Sequence, residues 1–387
     1  MTLAYRLDNI TADDLRHRRG RKWLHEDPSA LGAAIAESDL GTSPVVLDAL
    51  HEAVTRQTFG YQTADMRRDL AEATAGWLTR RYGWTLDPGR IHPVADVVRA
   101  LDLAIAHFSR PGSAVILPTP TYMPFLDLAS RHGRPTIRVP MREHNGRPVL
   151  DLDMLDAAFR AGGNLLVLCN PHNPTGVVHT VAELAAIGEV VARHGGRVFA
   201  DEIHAPITFG RATHIPYASV SDETASHTLT AVSASKAWNL PGLKCAQLVL
   251  TSDEDVTTWE PLAIEAHGAS NLGLIAAIAA YGDRGSWLEQ ILDYLKVNRD
   301  VLHKGLMERV PALKVRPPDG TYLAWLDFRA LGIERPGALL ASKGLHVVEG
   351  IDCGPPGAGH ARINFATPRP VLLQMLERVA EASSTRS

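Results

Sequence analysis

The chain has 387 residues, 45% of them hydrophobic and 21% charged, and its 39 basic and 43 acidic side chains give a net charge of −4. This is the composition of a soluble globular protein of roughly two or three domains with ample material for a large core. No basic block is long enough for a nucleic-acid footprint, and Cys169, Cys245 and Cys353 show no CxxC spacing, so neither a nucleic-acid partner nor a metal is assigned.

In chain order, the first signal is the basic run at residues 16–22, which reads as a solvated N-terminal face. The N-terminus has no signal-peptide core, and the longest apolar helical run, residues 272–281, is too short to span a bilayer. A cytoplasmic protein without a membrane partner is expected. Residues 96–108 place Val97, Val98, Leu101, Ala104, Ile105 and Phe108 on one helical face, with Asp96 as N-cap. Short apolar runs at 114–117, 165–169, 198–200, 229–232 and 247–250 read as buried strands, with helical stretches such as 181–193 between several of them. Cys169 and Cys245 fall in such runs and read as small core residues.

Alternating α and β segments with wholly apolar strands predict an α/β fold, a mostly parallel sheet flanked by helices. After about residue 270 the pattern changes to long helices (272–280, 287–307) and short strands (321–326, 345–348, 361–364). We therefore expect a large domain over residues 41–269 and a smaller α+β domain made of 1–40 and 270–387. The tail from Ala382 is expected to fray.

Three signals carry chemistry, each at the end of an apolar strand. Asn173 lies between Pro171 and Pro174 in a rigid turn that ends at Gly176; Asp201 opens Asp201-Glu202-Ile203-His204; Lys236 follows Ser233-Ala234-Ser235. Each has a bland reading: a turn asparagine, a helix N-cap, a surface lysine. Together they are what holding pyridoxal 5'-phosphate (PLP) requires. The lysine forms the Schiff base, the carboxylate keeps the ring nitrogen protonated, and the amide donates to the ring oxygen. Val97 and Val98 open a helix whose N–H groups can cradle the phosphate.

The stretches at 59–61, 118–125, 169–176, 201–206, 235–239, 241–244 and 362–366 resemble the fold-type-I PLP enzymes of the class I/II aminotransferase superfamily. Their finer pattern is similar to the carbon–sulfur lyase branch, the cystathionine β-lyases of MalY/PatB type. The resemblance implies Lys236 as the Schiff-base lysine, Asp201 on the ring nitrogen and Asn173 on the phenolic oxygen. His204 falls where many relatives have a tyrosine contacting that oxygen, and Tyr122 and Ile203 would enclose the ring. Ser233, Ser235 and Lys244, the last in a slot usually held by arginine, would join Val97 and Val98 at the phosphate, with Asp96 capping its helix and facing away.

Arg362 would clamp the substrate carboxylate. Tyr61 would reach the active site of a neighbouring subunit, which implies a homodimer with shared sites. The reaction so implied is β-elimination from a cysteine thioether, with an aminotransferase on a small amino acid, or a related PLP reaction on an S-cysteinyl conjugate, as alternatives. A PLP-keeping regulator finds no support in an extra domain. Two positions depart from the lyase pattern by losing aromatic bulk, Ala34 and Cys353; if they line the substrate channel, a larger S-substituent fits.

Overall fold

The computed structural model describes residues 2–262 and 268–384. Its centre is a seven-stranded sheet formed by β1 (Ile91–Val94), β2 (Ala114–Thr119), β3 (Thr136–Pro140), β4 (Gly163–Cys169), β5 (Arg197–Asp201), β6 (Thr228–Val232) and β7 (Ala246–Leu250), in the spatial order β1-β7-β6-β5-β4-β2-β3. From β3 to β6 all neighbours are parallel, and β7 runs antiparallel to both β6 and β1.

The apolar strands are explained by burial on both faces. Along β2, β4 and β5, Val115, Leu117, Leu165, Val167 and Phe199 pack on one side with the helix Val97–His107. Ile116, Leu166, Leu168, Val198 and Ala200 pack on the other with the helices Leu152–Arg160 and Val181–Arg193. A period of two with both faces apolar is how a covered parallel sheet reads in sequence.

A second, four-stranded antiparallel sheet contains β8 (Lys314–Val315), β9 (Leu323–Asp327), β10 (Val348–Glu349) and β11 (His360–Asn364), in the order β8-β9-β11-β10. The helices Trp287–Arg309 and Arg369–Ser384 pack together beside it, and their buried leucines join Leu323, Leu326 and Ile363 in one core. The helix Asn271–Gly282 packs against the helices Pro44–Thr55 and Ala64–Tyr82.

The expected helix at 181–193 is found with those bounds, and the strands are found within two residues at each end. Three expectations are corrected. The strand at 345–348 is two: Leu345–His346 pairs in parallel with Leu31–Gly32, and Val348–Glu349 belongs to the smaller sheet. The basic run is not a uniformly solvated face, because Lys22 is buried and its Nζ lies 2.7 Å from Asp39 Oδ2. The tail does not fray at Ala382, which is buried on a helix reaching Ser384; residues 385–387 lie outside the described residues.

The Lys22–Asp39 pair fastens the N-terminal segment. Asp39 also accepts the indole N–H of Trp23 at 2.8 Å, and its own N–H donates to Ala366 O at 2.9 Å. Removing one partner of a buried pair leaves an uncompensated charge, which costs about 3–5 kcal/mol. Asp39→Ala is therefore expected to lower the urea-unfolding free energy by roughly 3 kcal/mol, whereas a loss below about 1 kcal/mol would show that the pair does not hold the segment.

Candidate active site

The parallel strands of the large sheet present three site residues at their carboxyl ends, the position at which open parallel sheets bind ligands. Asp201 is the last residue of β5, Asn173 follows β4, and Lys236 follows β6. These three side chains line one cavity of about 780 Å³, mouth included, together with Val97, Val98, Tyr122, Ile203, His204, Ser233, Ser235 and Lys244.

Lys236 is half-buried, and its Nζ donates to the main-chain carbonyl of Ala36 at 2.8 Å. Burial first, and the Arg362 cation second, push the amine down to about 8, against the opposing charges of Glu37 and Asp201. Asp201 is pushed up to about 6 by burial, although Ile203 N donates to its Oδ1 at 3.1 Å. Arg362 is buried on β11; Nη1 donates to Asn173 Oδ1 at 2.8 Å and Nη2 to Ala34 O at 2.7 Å. That bond uses the carbonyl end of the Asn173 amide and leaves Nδ2 to donate to a ligand.

The turn carrying Asn173 is itself docked. Gly176 O accepts from Asp319 N and Gly320 N at 2.8 and 3.0 Å. Gly176 has φ 69°, and a Cβ there would lie 2.3 Å from Pro318 Cβ, so only glycine allows the approach.

The residues fit PLP on two observations. His204 Nδ1 is buried without a hydrogen-bond partner among the described residues, and burial holds the imidazole neutral, able to donate to or accept from a ring oxygen. Asp201 is a buried carboxylate without a salt-bridge partner among the described residues, a place that a protonated pyridine nitrogen satisfies. At the other end of the cavity the helix Val97–His107 presents its first N–H groups.

Two expectations about the phosphate end change. Asp96 does cap the helix, its Oδ1 accepting from Arg99 N at 2.9 Å, but it does not face away: Oδ2 lies 2.7 Å from Lys244 Nζ. The Lys244 charge enters the cavity already shared with a carboxylate. Ser233 gives its hydroxyl proton to Cys245 O (2.7 Å), and its oxygen receives Ser235 N (3.1 Å), so it braces the turn that ends at Lys236.

Tyr61 is not brought to this cavity. It is fully exposed, beside a separate hollow lined by Phe59, Arg67, Leu243 and Asn271. Cys353 is wholly buried and, like Arg362, lies outside the cavity wall. Ala34 stays beside the site through its carbonyl bond to Arg362.

Sequence reading missed the groups that seat the N-terminal segment over the site. Tyr322 OH donates to Ala36 O at 2.9 Å, and Asn364 Nδ2 donates to Ile35 O and Glu37 O at 2.7 Å each. Asn364 was detectable, because it stands two residues after Arg362 on one strand and so on the same face. Nothing in the sequence marks Tyr322 or the Ala36 carbonyl.

An amine near 8 is about one-tenth neutral at pH 7, far more than an ordinary lysine. The rate at which cofactor-free protein takes up PLP should therefore rise with pH and level off above about 8. Stopped-flow absorbance checks this, and a rate still climbing past pH 10 would contradict a desolvated amine.

The comparisons with known proteins agree with this geometry. A family model described as aminotransferase class I and II matches residues 31–379. The cystathionine beta-lyase of Corynebacterium glutamicum is 38% identical, over 95% of this chain and 98% of that protein. A solved structure from Corynebacterium diphtheriae, described as a PLP-dependent beta-cystathionase, is 40% identical with a TM-score of 0.92, covering 98% and 99% of the two chains. The PLP-bound C-S lyase of Staphylococcus hominis matches with a TM-score of 0.90 at 26% identity, covering 98% of each chain. The chain belongs to the aminotransferase class I and II family and is a PLP-dependent enzyme of fold type I.

Proposed function

We propose that this enzyme cleaves the Cβ–S bond of a cysteine thioether, cystathionine or another S-substituted cysteine, by β-elimination. The observation that carries the reading is the meeting of Lys236, Asp201 and Asn173 at one cavity, with Arg362 buried behind its wall and bonded to Asn173. The names of the relatives, cystathionine beta-lyase and C-S lyase, support the choice of reaction within the family. The balance is thioether plus water to thiol, pyruvate and ammonia.

PLP, when bound, would supply an aldehyde for the substrate amino group and a ring able to delocalise the charge left at Cα. Arg362 grips the substrate carboxylate with a planar fork and, through Asn173, ties that grip to the residue assigned to the phenolic oxygen. Asp201 holds a proton on the ring nitrogen, and Tyr122 and Ile203 confine the ring between them. Lys236 removes the Cα proton with its neutral Nζ, and the thiolate departs from Cβ. Depression of its pKa to about 8 keeps that nitrogen a usable base near neutrality.

The same reading includes the division at residues 40/41 and 269/270, a cytoplasmic location, and a homodimer in which Tyr61 serves the partner's site. Phe59 and Tyr61 stand exposed side by side, as an unburied contact surface would.

Supplied with a thioether and no keto-acid acceptor, the enzyme should release thiol and pyruvate in equal amounts through many turnovers. An aminotransferase would stop after one half-reaction, so turnover that needs an acceptor and frees no thiol would favour that alternative.

Subunit sharing is checked by mixing two inactive variants, Lys236→Ala and Tyr61→Ala, under conditions that exchange subunits. Half the dimers would be mixed, each with one intact site, giving about a quarter of the parent activity. No recovery in a verified mixed dimer would show that Tyr61 does not serve the partner's site.

A further inference from the structure

We propose that Tyr322 is a positioning residue for Lys236: its hydroxyl holds the Ala36 carbonyl as the resting place of the amine and tempers how strongly that carbonyl binds it. Ala36 lines the cavity, and its oxygen accepts from Lys236 Nζ at 2.8 Å and from Tyr322 OH at 2.9 Å. A carbonyl oxygen has two lone pairs, and both are taken here. Among the described residues this carbonyl is the one hydrogen-bond partner of Lys236 Nζ.

The carbonyl is fixed from both sides. Tyr322 directly precedes β9, and its own main-chain oxygen accepts Phe365 N at 3.0 Å, just past the end of β11. Asn364, the last residue of β11, donates its Nδ2 to Ile35 O and Glu37 O at 2.7 Å each. Three consecutive carbonyls therefore take donors from one end of the smaller sheet, and loss of the hydroxyl alone leaves the outer two held. Tyr322 is 1% exposed, and its ring meets His204 edge-on with centroids 5.7 Å apart. Burial, reinforced by the Glu37 charge, pushes the phenol above its usual range, so the hydroxyl donates throughout the working range.

The charged and titratable groups facing Lys236 are Arg362, Glu37, Asp201 and His204, the last held neutral by burial. A hydrogen bond to a carbonyl favours the ammonium over the amine. A second donor on the same oxygen draws on the same electron density and weakens that preference. Tyr322 thus keeps the carbonyl aimed, so that an amine freed by the substrate's amino group returns to one spot. It also keeps the ammonium from being held too firmly to give its proton back. The inference rests on Lys236 being the amine that bonds PLP and is independent of which reaction follows.

The test uses full-length protein with cofactor removed. It compares the parent, Tyr322→Phe, and protein in which Tyr322 is replaced by 3-fluorotyrosine, whose hydroxyl is a stronger donor. The pH midpoint of Lys236 is read by competitive labelling with acetic anhydride, the Lys236 peptide being quantified by mass spectrometry. Losing the hydroxyl should make Lys236 hold its proton roughly twofold to fivefold more tightly, part of the span of one neutral hydrogen bond. The fluorinated ring keeps the packing, and its midpoint should fall below that of the parent. Equal midpoints in all three proteins would overturn the proposal. So would a lower midpoint for phenylalanine, or shifts of both variants in the same direction, which would mean that the ring acts through packing alone. Should the phenylalanine variant not fold, the fluorinated protein decides: a midpoint at or above the parent's sinks the proposal. None of these results would touch the lyase reading, which is decided by the thiol and pyruvate assay.

Discussion

Two cations lie near one another in this enzyme, Arg362 buried and Lys236 half-buried, and among the described residues neither forms an ion pair with a carboxylate. They rest on main-chain carbonyls instead, Lys236 on Ala36 O and Arg362 on Ala34 O. The arrangement has a chemical consequence. A carboxylate beside Lys236 would raise its pKa and remove the nucleophile, and one on Arg362 would occupy the place of the substrate's own carboxylate. Carbonyl dipoles solvate both cations more weakly than a full charge would and can be exchanged. Mutual repulsion then works in favour of the chemistry, since the Arg362 charge is one of the forces that lowers Lys236.

Holding those carbonyls in place is a task for the smaller sheet. From Ala33 to Glu37 each main-chain oxygen has a donor: Asn364 N, Arg362, Asn364 Nδ2, Lys236 with Tyr322, and Asn364 Nδ2 again. One strand, β11, therefore supplies both the carboxylate clamp and the amide that fixes the segment above it. The buried Lys22–Asp39 pair closes the far end of the same segment. Segments separated by more than three hundred residues in the chain form a single wall, so the site depends on the N-terminal segment and the smaller sheet being docked on the large one.

This division explains how much could be read from the chain. The lysine, aspartate and asparagine are legible because each stands where an apolar strand gives way to a turn, and parallel sheets place ligands at those ends. The strands themselves are legible because burial on both faces removes polar residues from them. The carbonyl wall is not legible, since a main-chain oxygen has no residue signature and its donors come from distant segments. Local charge rules also fell short at Asp96. Helix capping was anticipated, but the bond to Lys244 depends on where the 3-10 turn Pro241–Leu243 brings the lysine back to the sheet.

The site without its cofactor holds its two central groups displaced in opposite directions, Asp201 up to about 6 and Lys236 down to about 8. Burial is the main cause in both cases, because it penalises whichever form is charged. In the proposed reading PLP would remove the penalty at each end, supplying a cation to the carboxylate and a bond to the amine. A ring-nitrogen contact would require ionised Asp201, so its contribution to cofactor affinity would be present above about 6 and lost as pH falls through that value. Bond formation would require neutral Lys236 and be opposed as pH falls below about 8. Both dependences have the same sign. Acid therefore weakens the cofactor's hold twice over, and the burial that makes Lys236 reactive is also what makes the empty site favour PLP over water.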